Sequence, residues 1–204
     1  IELLNLCKRN ENTDIIHVCI KPDIFDSKES FFKSCNNLNV TLQYYSEGDI
    51  LTRDLYNRSP FEFEQFKLKN SKLTSIPLYI SYDNNYFSIT NKTKTIVYAS
   101  YIQQDKFFSN DNFSGKLTIS GSIESFEGSL ADYNYFFKVP VKNQLRNEIA
   151  QNLEINILDY AANTISISYK HSNPMYAQDV CNQIAQSYIE YDLTKKAISS
   201  VKIV

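Results

Sequence analysis

The sequence predicts an α+β protein: a mixed sheet with a long C-terminal amphipathic helix, plus an inserted β-rich, sandwich-like module. Three observations carry that expectation. The spacing of apolar residues changes at about residues 60 and 140, and a change of hydrophobic period marks a change of element type. Between those points, short alternating apolar runs recur about every ten residues with no helical period between them, the pattern of a small sandwich or barrel. From Pro174 to Ala197 the apolar residues fall instead at helical spacing. The expected domains are residues 1–61 together with 141–204, a discontinuous α+β domain, and residues 62–140, the β-rich insert.

Each element has its own local argument. Ile1, Leu3, Leu4 and Cys7 can share one helical face. After an uncertain link, Asp26-Ser27 can cap a second helix whose inner side is Phe31, Phe32 and Cys35. Asn39 to Tyr45 alternates and is rich in β-formers, so it is read as a strand. In the middle region, Phe61-Glu62-Phe63, Ile76 to Ile80, Tyr86 to Ile89, Thr95 to Tyr98, Lys116 to Ile119 and Tyr135 to Val139 are strand candidates. Asp83-Asn84-Asn85 is a turn between two of them.

After Pro140, Val141, Leu145 and Ile149 mark a short helix, and 153–158 and 164–169 two alternating strands. Asn173 is the expected cap of the long helix, with Pro174 at its first position. Its packing stripe is Ala177, Val180, Cys181, Ile184 and Tyr188, with Gln178, Asp179, Asn182, Gln183, Gln186 and Glu190 on the other side. Strands 40–45, 153–158 and 163–170 are expected to join one sheet beneath this helix, with 62–140 as a separate lobe.

Composition narrows the function classes. With 15 Tyr and 13 Phe the chain has apolar area enough to offset its conformational entropy, so it folds. Net charge is −2 and no Lys/Arg block occurs, which speaks against nucleic acid as a partner. The longest apolar runs, Ile15-Ile16 and Val18-Cys19-Ile20 around His17, fall far short of the roughly 20 residues of a membrane span. The expectation is a soluble fragment without a signal peptide. A start at Ile1 and a stop at Val204 inside helical sequence are read as the ends of a domain excised from a longer protein.

Chemistry-bearing patterns are not found. Cys7, Cys19, Cys35 and Cys181 show no short-spaced pair, so no metal site is expected, and they are read as small buried residues ahead of disulfides. None of the four glycines belongs to a phosphate-cradling loop, so no cofactor is expected. His17 lies in an apolar run and His171 in a strand-to-helix turn. Gly121 to Ser125 is not a nucleophile elbow, and Glu124 and Glu127 are read as solvated carboxylates ahead of a glycosidase pair. No catalytic residue is assigned.

Two stretches carry a resemblance. Asn163 to Tyr169, then Asn173-Pro174, Ala177, Asp179, Asn182, Tyr188-Ile189-Glu190 and Lys195-Lys196 resemble the chain-length determinant (Wzz-type) family. There an I-x-I-S strand precedes an Asn/Asp-Pro helix start. Val40 to Tyr45, followed by Asp54-Leu55-Tyr56-Asn57-Arg58-Ser59-Pro60-Phe61, is similar to the tyrosine-autokinase (Wzc-like) branch of polysaccharide co-polymerases. The motif positions are Tyr56, Ser59, Pro60, Phe61, Asn173, Pro174 and Tyr188. Residues 10–28 depart from the family pattern of one continuous helix.

The resemblance implies a non-catalytic domain on the periplasmic face of the bacterial inner membrane, reached by the membrane only through flanking segments. It would regulate chain length or export of capsular polysaccharide or exopolysaccharide through oligomeric assembly. The implied partners are further copies of itself, a polysaccharide polymerase or an outer-membrane export protein, and glycan. Whether the parent carries a cytoplasmic tyrosine autokinase stays open. The alternative is a secreted carbohydrate-binding or adhesin-like β module, motivated by the Tyr- and Phe-rich middle; a hydrolase ranks third. Hydrophobic spans encoded on both flanks would favour the first, a signal peptide with a sorting domain the second.

Overall fold

The computed structural model describes residues 8–10, 13–19, 42–159 and 164–201. The chain divides into two units, Ile1–Asn39 with Lys142–Val204 and, between them in sequence, Val40–Val141. Described first is the start of unit 1, a short antiparallel hairpin of β1 (Lys8–Asn10) and β2 (Thr13–Cys19). The helices expected over residues 1–7 and 26–35 lie outside the described residues.

Unit 2 is built from two antiparallel sheets. Its strands are β3 (Gln43–Glu47), β4 (Thr52–Asp54), β5 (Phe61–Leu68), β6 (Leu78–Asp83), β7 (Tyr86–Thr90), β8 (Val97–Ile102), β9 (Phe107–Ser109) and β10 (Phe113–Ile119). A short helix α1 (Ile123–Ser129) and strand β11 (Asn134–Lys138) complete it. Six strands run in the order β4-β3-β11-β6-β7-β8, and three in the order β5-β10-β9. One apolar core takes residues from both sheets and from α1, among them Phe61, Leu78, Ile89, Phe113, Leu117, Phe126 and Phe137.

Local chemistry explains the pieces. Asn84 and Asn85 adopt φ of 49° and 67°, the left-handed pair that a tight hairpin needs, and Asn tolerates it. In β5, Phe61 and Phe63 point inward, and then the alternation slips. Gln65 takes φ 52°, and Gln65 and Phe66 together oppose Gly115, because Glu64 pairs with Lys116 and Lys67 with Ser114. This bulge resets the period, so that Phe66 and Leu68 turn back toward the core. Gly115 suits that close approach: a Cβ on it would sit 3.2 Å from the Glu64 carbonyl oxygen and 3.3 Å from Phe66 Cα, so the neighbouring backbone would have to give.

Helix α1, in a stretch read as β-rich, is capped by Ser122 Oγ, which accepts from Ser125 N–H at 3.1 Å. It is held down by Phe126, whose ring meets Tyr135 at 5.6 Å.

The rest of unit 1 is α2 (Lys142–Asn152), β12 (Leu153–Asp159), β13 (Thr164–Lys170) and α3 (Pro174–Val201). Leu145 and Ile149 are the buried side of α2. The sheet runs β1-β2-β13-β12, antiparallel throughout. Strand β13 is central, and Ile165 to Tyr169 are buried without interruption, as expected of a strand covered on both faces.

The observed fold class corrects the expected one. Among the described residues the protein is mostly β, with thirteen strands in three antiparallel sheets and three α-helices. It is not an α+β fold with a mixed sheet and a long C-terminal amphipathic helix. Strand β3 does not join β12 and β13; it pairs with β11 and β4 in unit 2. The cause is Tyr44, whose hydroxyl accepts from Phe63 N–H at 2.9 Å and whose ring meets Phe61 edge-on at 5.2 Å. Burial pushes that hydroxyl up to about 12, against the pull of the Phe63 N–H. The flank of β13 is taken by β2 instead.

Helix α3 buries one face over its first turns, through Tyr176, Ala177, Val180, Cys181, Ile184 and Ala185. Further along, Leu193, nine residues beyond Ile184 and so on the opposite side of the helix, is 51% exposed.

Candidate functional site

The motif around Tyr56 seats a core residue. Tyr56 N–H donates to Asp54 Oδ1 at 2.8 Å and Arg58 N–H to the Leu55 carbonyl at 2.7 Å. Asn57 takes φ 54° to close that turn. Ser59 is buried; its hydroxyl donates to the Phe61 carbonyl at 2.5 Å, and its own carbonyl accepts from Ser120 Oγ at 3.2 Å. The Pro60 carbonyl accepts from Ser120 N–H at 2.9 Å. The result places Phe61 at the centre of an aromatic cluster, with Phe63 and Phe126 each at 6.1 Å. These residues anchor β5.

The second motif is a helix start. Asn173 Oδ1 accepts from Met175 N–H at 3.0 Å and Tyr176 N–H at 3.2 Å, satisfying two of the free donors of α3. Pro174, at the first helical position, has no donor to lose. His171 Nδ1 takes the Asn173 N–H at 3.1 Å, and its ring lies 4.6 Å from Tyr176. Of the packing stripe, Ala177, Val180, Cys181 and Ile184 are buried, with Cys181 Sγ directed to the Ile167 carbonyl at 3.9 Å. The side chain of Tyr188 lies outside the described residues.

Chemistry gathers on the outer face of the six-stranded sheet. Register aligns Asp54, Tyr45, Phe136, Tyr79, Thr90 and Val97 across it. Tyr45 stacks on Phe136 at 4.9 Å and 13°, and Tyr79 lies 5.0 Å from Phe136 on the other side. Lys138 Nζ stands 5.3 Å above the Tyr45 ring and 5.7 Å above Phe136, within cation–π range. Tyr79 Oη donates to Glu47 Oε2 at 3.2 Å, and Lys92 Nζ meets Glu47 Oε1 at 2.9 Å.

Lys92 and the Tyr79 hydroxyl hold the Glu47 carboxyl below its usual range, against a smaller opposing effect of burial. Burial, then the Glu47 charge, pushes the Tyr79 hydroxyl up to about 12. Two half-buried phenols, an ammonium and a carboxylate can stack on a sugar ring and bond its hydroxyls. The lowered Glu47 carboxyl and the raised Tyr79 hydroxyl are both moved away from proton exchange near neutral pH.

The Tyr- and Phe-rich middle motivated a carbohydrate-binding alternative, but the sequence alone singled out none of these aromatics. The available signal was the run Tyr135-Phe136-Phe137: three consecutive buried aromatics break the alternation and require apolar cover on both faces. Glu124 and Glu127 both sit on α1, exposed to solvent. Backbone N–H at the helix start and the Ser122 hydroxyl lower the Glu124 carboxyl. His17 lies on β2 opposite Ser166.

Among the described residues no group of three or more His, Cys, Asp or Glu is placed to hold a metal ion. No helix there is long and apolar enough to cross a membrane. No protein-family model matches the chain, and no curated protein matches it significantly.

Proposed function

We propose that the chain is a non-catalytic periplasmic domain of an inner-membrane polysaccharide co-polymerase, acting on the length or export of a surface polysaccharide through self-association. The observation that carries this reading is the ordered run from Asn163 through Asn173-Pro174 to Tyr188-Ile189-Glu190. The reading rests on those motif residues and on no shared fold. Its partners would be a polymerase or an outer-membrane export protein.

The test is made in cells carrying the intact parent protein. Ile184 is fully buried, so Ile184→Asp strands a charge without a partner and costs several kcal/mol, against the ~5–15 kcal/mol of a whole domain. Gln186 is exposed, and Gln186→Ala changes stability by about 0.5 kcal/mol or less. At matched protein level, Ile184→Asp is expected to shift or abolish the polysaccharide ladder on a gel, and Gln186→Ala to leave it intact. An unchanged ladder with demonstrably misfolded Ile184→Asp protein overturns the reading.

A second reading is favoured by the Tyr45–Phe136–Tyr79 row: unit 2 as a carbohydrate-binding module. Calorimetry with surface oligosaccharides separates the two, since binding that Tyr79→Ala abolishes would support the module.

A further inference from the structure

The charged groups on the outer face of the six-stranded sheet differ in how they are committed. Glu47 and Lys92 pair at 2.9 Å, and Tyr79 Oη donates to the same carboxylate. Asp54 Oδ1 accepts from Tyr56 N–H at 2.8 Å. Lys138 is the exception: among the described residues no carboxylate lies within ion-pair reach of it. Its Nζ stands instead over the Tyr45 and Phe136 rings, at 5.3 Å and 5.7 Å. A ring face steadies a cation without neutralising it, so Lys138 keeps its charge for an outside anion.

Strand parity fixes where these groups lie. Gln43, Tyr45 and Glu47 on β3 point to one side of the sheet, and Phe136 and Lys138 on β11 point to the same side. Register sets Lys138 beside Gln43, and Phe136 beside Tyr45. Gln43 and Glu47 are four residues apart, about 13 Å at ~3.3 Å per residue. The face is therefore an elongated strip. A cation and an amide occupy one end, two half-buried tyrosines the middle, and Glu47 with the Tyr79 hydroxyl the other end.

A second observation lies beside Tyr79. Thr90 is its register partner and points to the same side. Thr90 is only 4% exposed, yet its hydroxyl has no hydrogen-bond partner among the described residues. Buried hydroxyls are ordinarily satisfied, so this one adds an unmet hydrogen-bonding group to that part of the strip.

We infer that this face takes an acidic glycan, with a sugar carboxylate on Lys138 and Gln43, sugar ring surface on Tyr45 and Tyr79, and hydroxyls on Glu47. The two ends choose the class. Lys138 calls for an acid, whereas Glu47 repels a ligand that is anionic throughout and accepts only from donors. An acid at one end and hydroxyls along the rest is the pattern of an acidic sugar joined to a neutral one. The inference rests on the carbohydrate-binding reading above and adds the substrate class.

The test is calorimetry on the full chain with a disaccharide of one uronic acid and one neutral hexose, and with its methyl ester. The ester keeps every hydroxyl and loses the charge. The acid is expected to bind ~3–10-fold tighter than the ester, and the margin to shrink as sodium chloride is raised. Lys138→Met is expected to bring the acid down to the level of the ester, and Lys138→Arg to keep the margin. Circular dichroism checks that both variants fold, and the ester and salt comparisons need neither. Equal binding of acid and ester, abolished by Tyr79→Ala, would overturn the acidic class and leave the module reading standing. Binding of an oligoglutamate as tightly as the acidic sugar would overturn it in favour of a protein partner. Binding of neither sugar would remove both this class and the module reading, and leave the chain-length reading to its own test.

Discussion

Replacing Phe61 by Ala removes the ring around which unit 2 is assembled. Phe61 is fully buried and lies 5.2 Å from Tyr44, 6.1 Å from Phe63 and from Phe126, 6.3 Å from Tyr135 and 6.5 Å from Phe137. Truncating a buried Phe to Ala costs about 3–5 kcal/mol, the lost transfer energy plus the cavity left behind. The upper half of that range applies because the neighbours come from two sheets and α1, and cannot close the void together.

For a unit of this size each kcal/mol lowers Tm by roughly 4–8 °C, so a fall on the order of 15–40 °C is expected. The chain has no Trp, so melting is followed by far-ultraviolet circular dichroism and by the near-ultraviolet bands of Tyr and Phe. Phe107→Ala is the control: that side chain is 60% exposed, and its loss is expected to stay within about 0.5 kcal/mol. A Phe61→Ala protein that loses less than about 1 kcal/mol would refute the assignment of Phe61 as a core anchor.

Two further outcomes follow from geometry and charge. Gly115→Ala lessens the entropy of the unfolded chain, worth ~0.4–1 kcal/mol in its favour, but pushes a Cβ against backbone at 3.2 Å and 3.3 Å, an overpacking worth about 1–3 kcal/mol. The net result is a lower urea midpoint with unchanged m, and a stabilised variant would contradict the bulge geometry. Glu47 titrates below its usual range chiefly because of Lys92, so its stabilising effect is present above the unfolded-state carboxylate pKa and is lost as pH falls through the folded one. In Lys92→Met, the Glu47 carboxyl carbon followed by nuclear magnetic resonance is expected to titrate at higher pH, and no movement would mean that the ion pair does not form in solution.

Much of the local structure is legible without coordinates. Alternation of apolar and polar residues marks β5, β6, β7, β12 and β13, because side-chain direction in a strand depends only on parity. The Asn84-Asn85 turn and the Asn173-Pro174 helix start are likewise legible, since a backbone angle and a cap need only neighbours within three residues. Partner choice is a different matter. Whether β3 lies beside β11 or beside β13 depends on Tyr44 reaching Phe63 N–H and the Phe61 ring, contacts between segments that no local period relates.

The slip at Gln65 is set by what lies opposite it, so it could not be read from spacing. The candidate face shows the same limit. Tyr45, Tyr79 and Phe136 each look like ordinary strand aromatics in sequence, and only the register of three strands aligns them with Lys138 close above. Side-chain parity was therefore determined by the sequence alone, while strand neighbours, bulges and the aromatic row were decided by the tertiary structure, because hydrogen-bond pairing and burial are satisfied between residues distant in the chain.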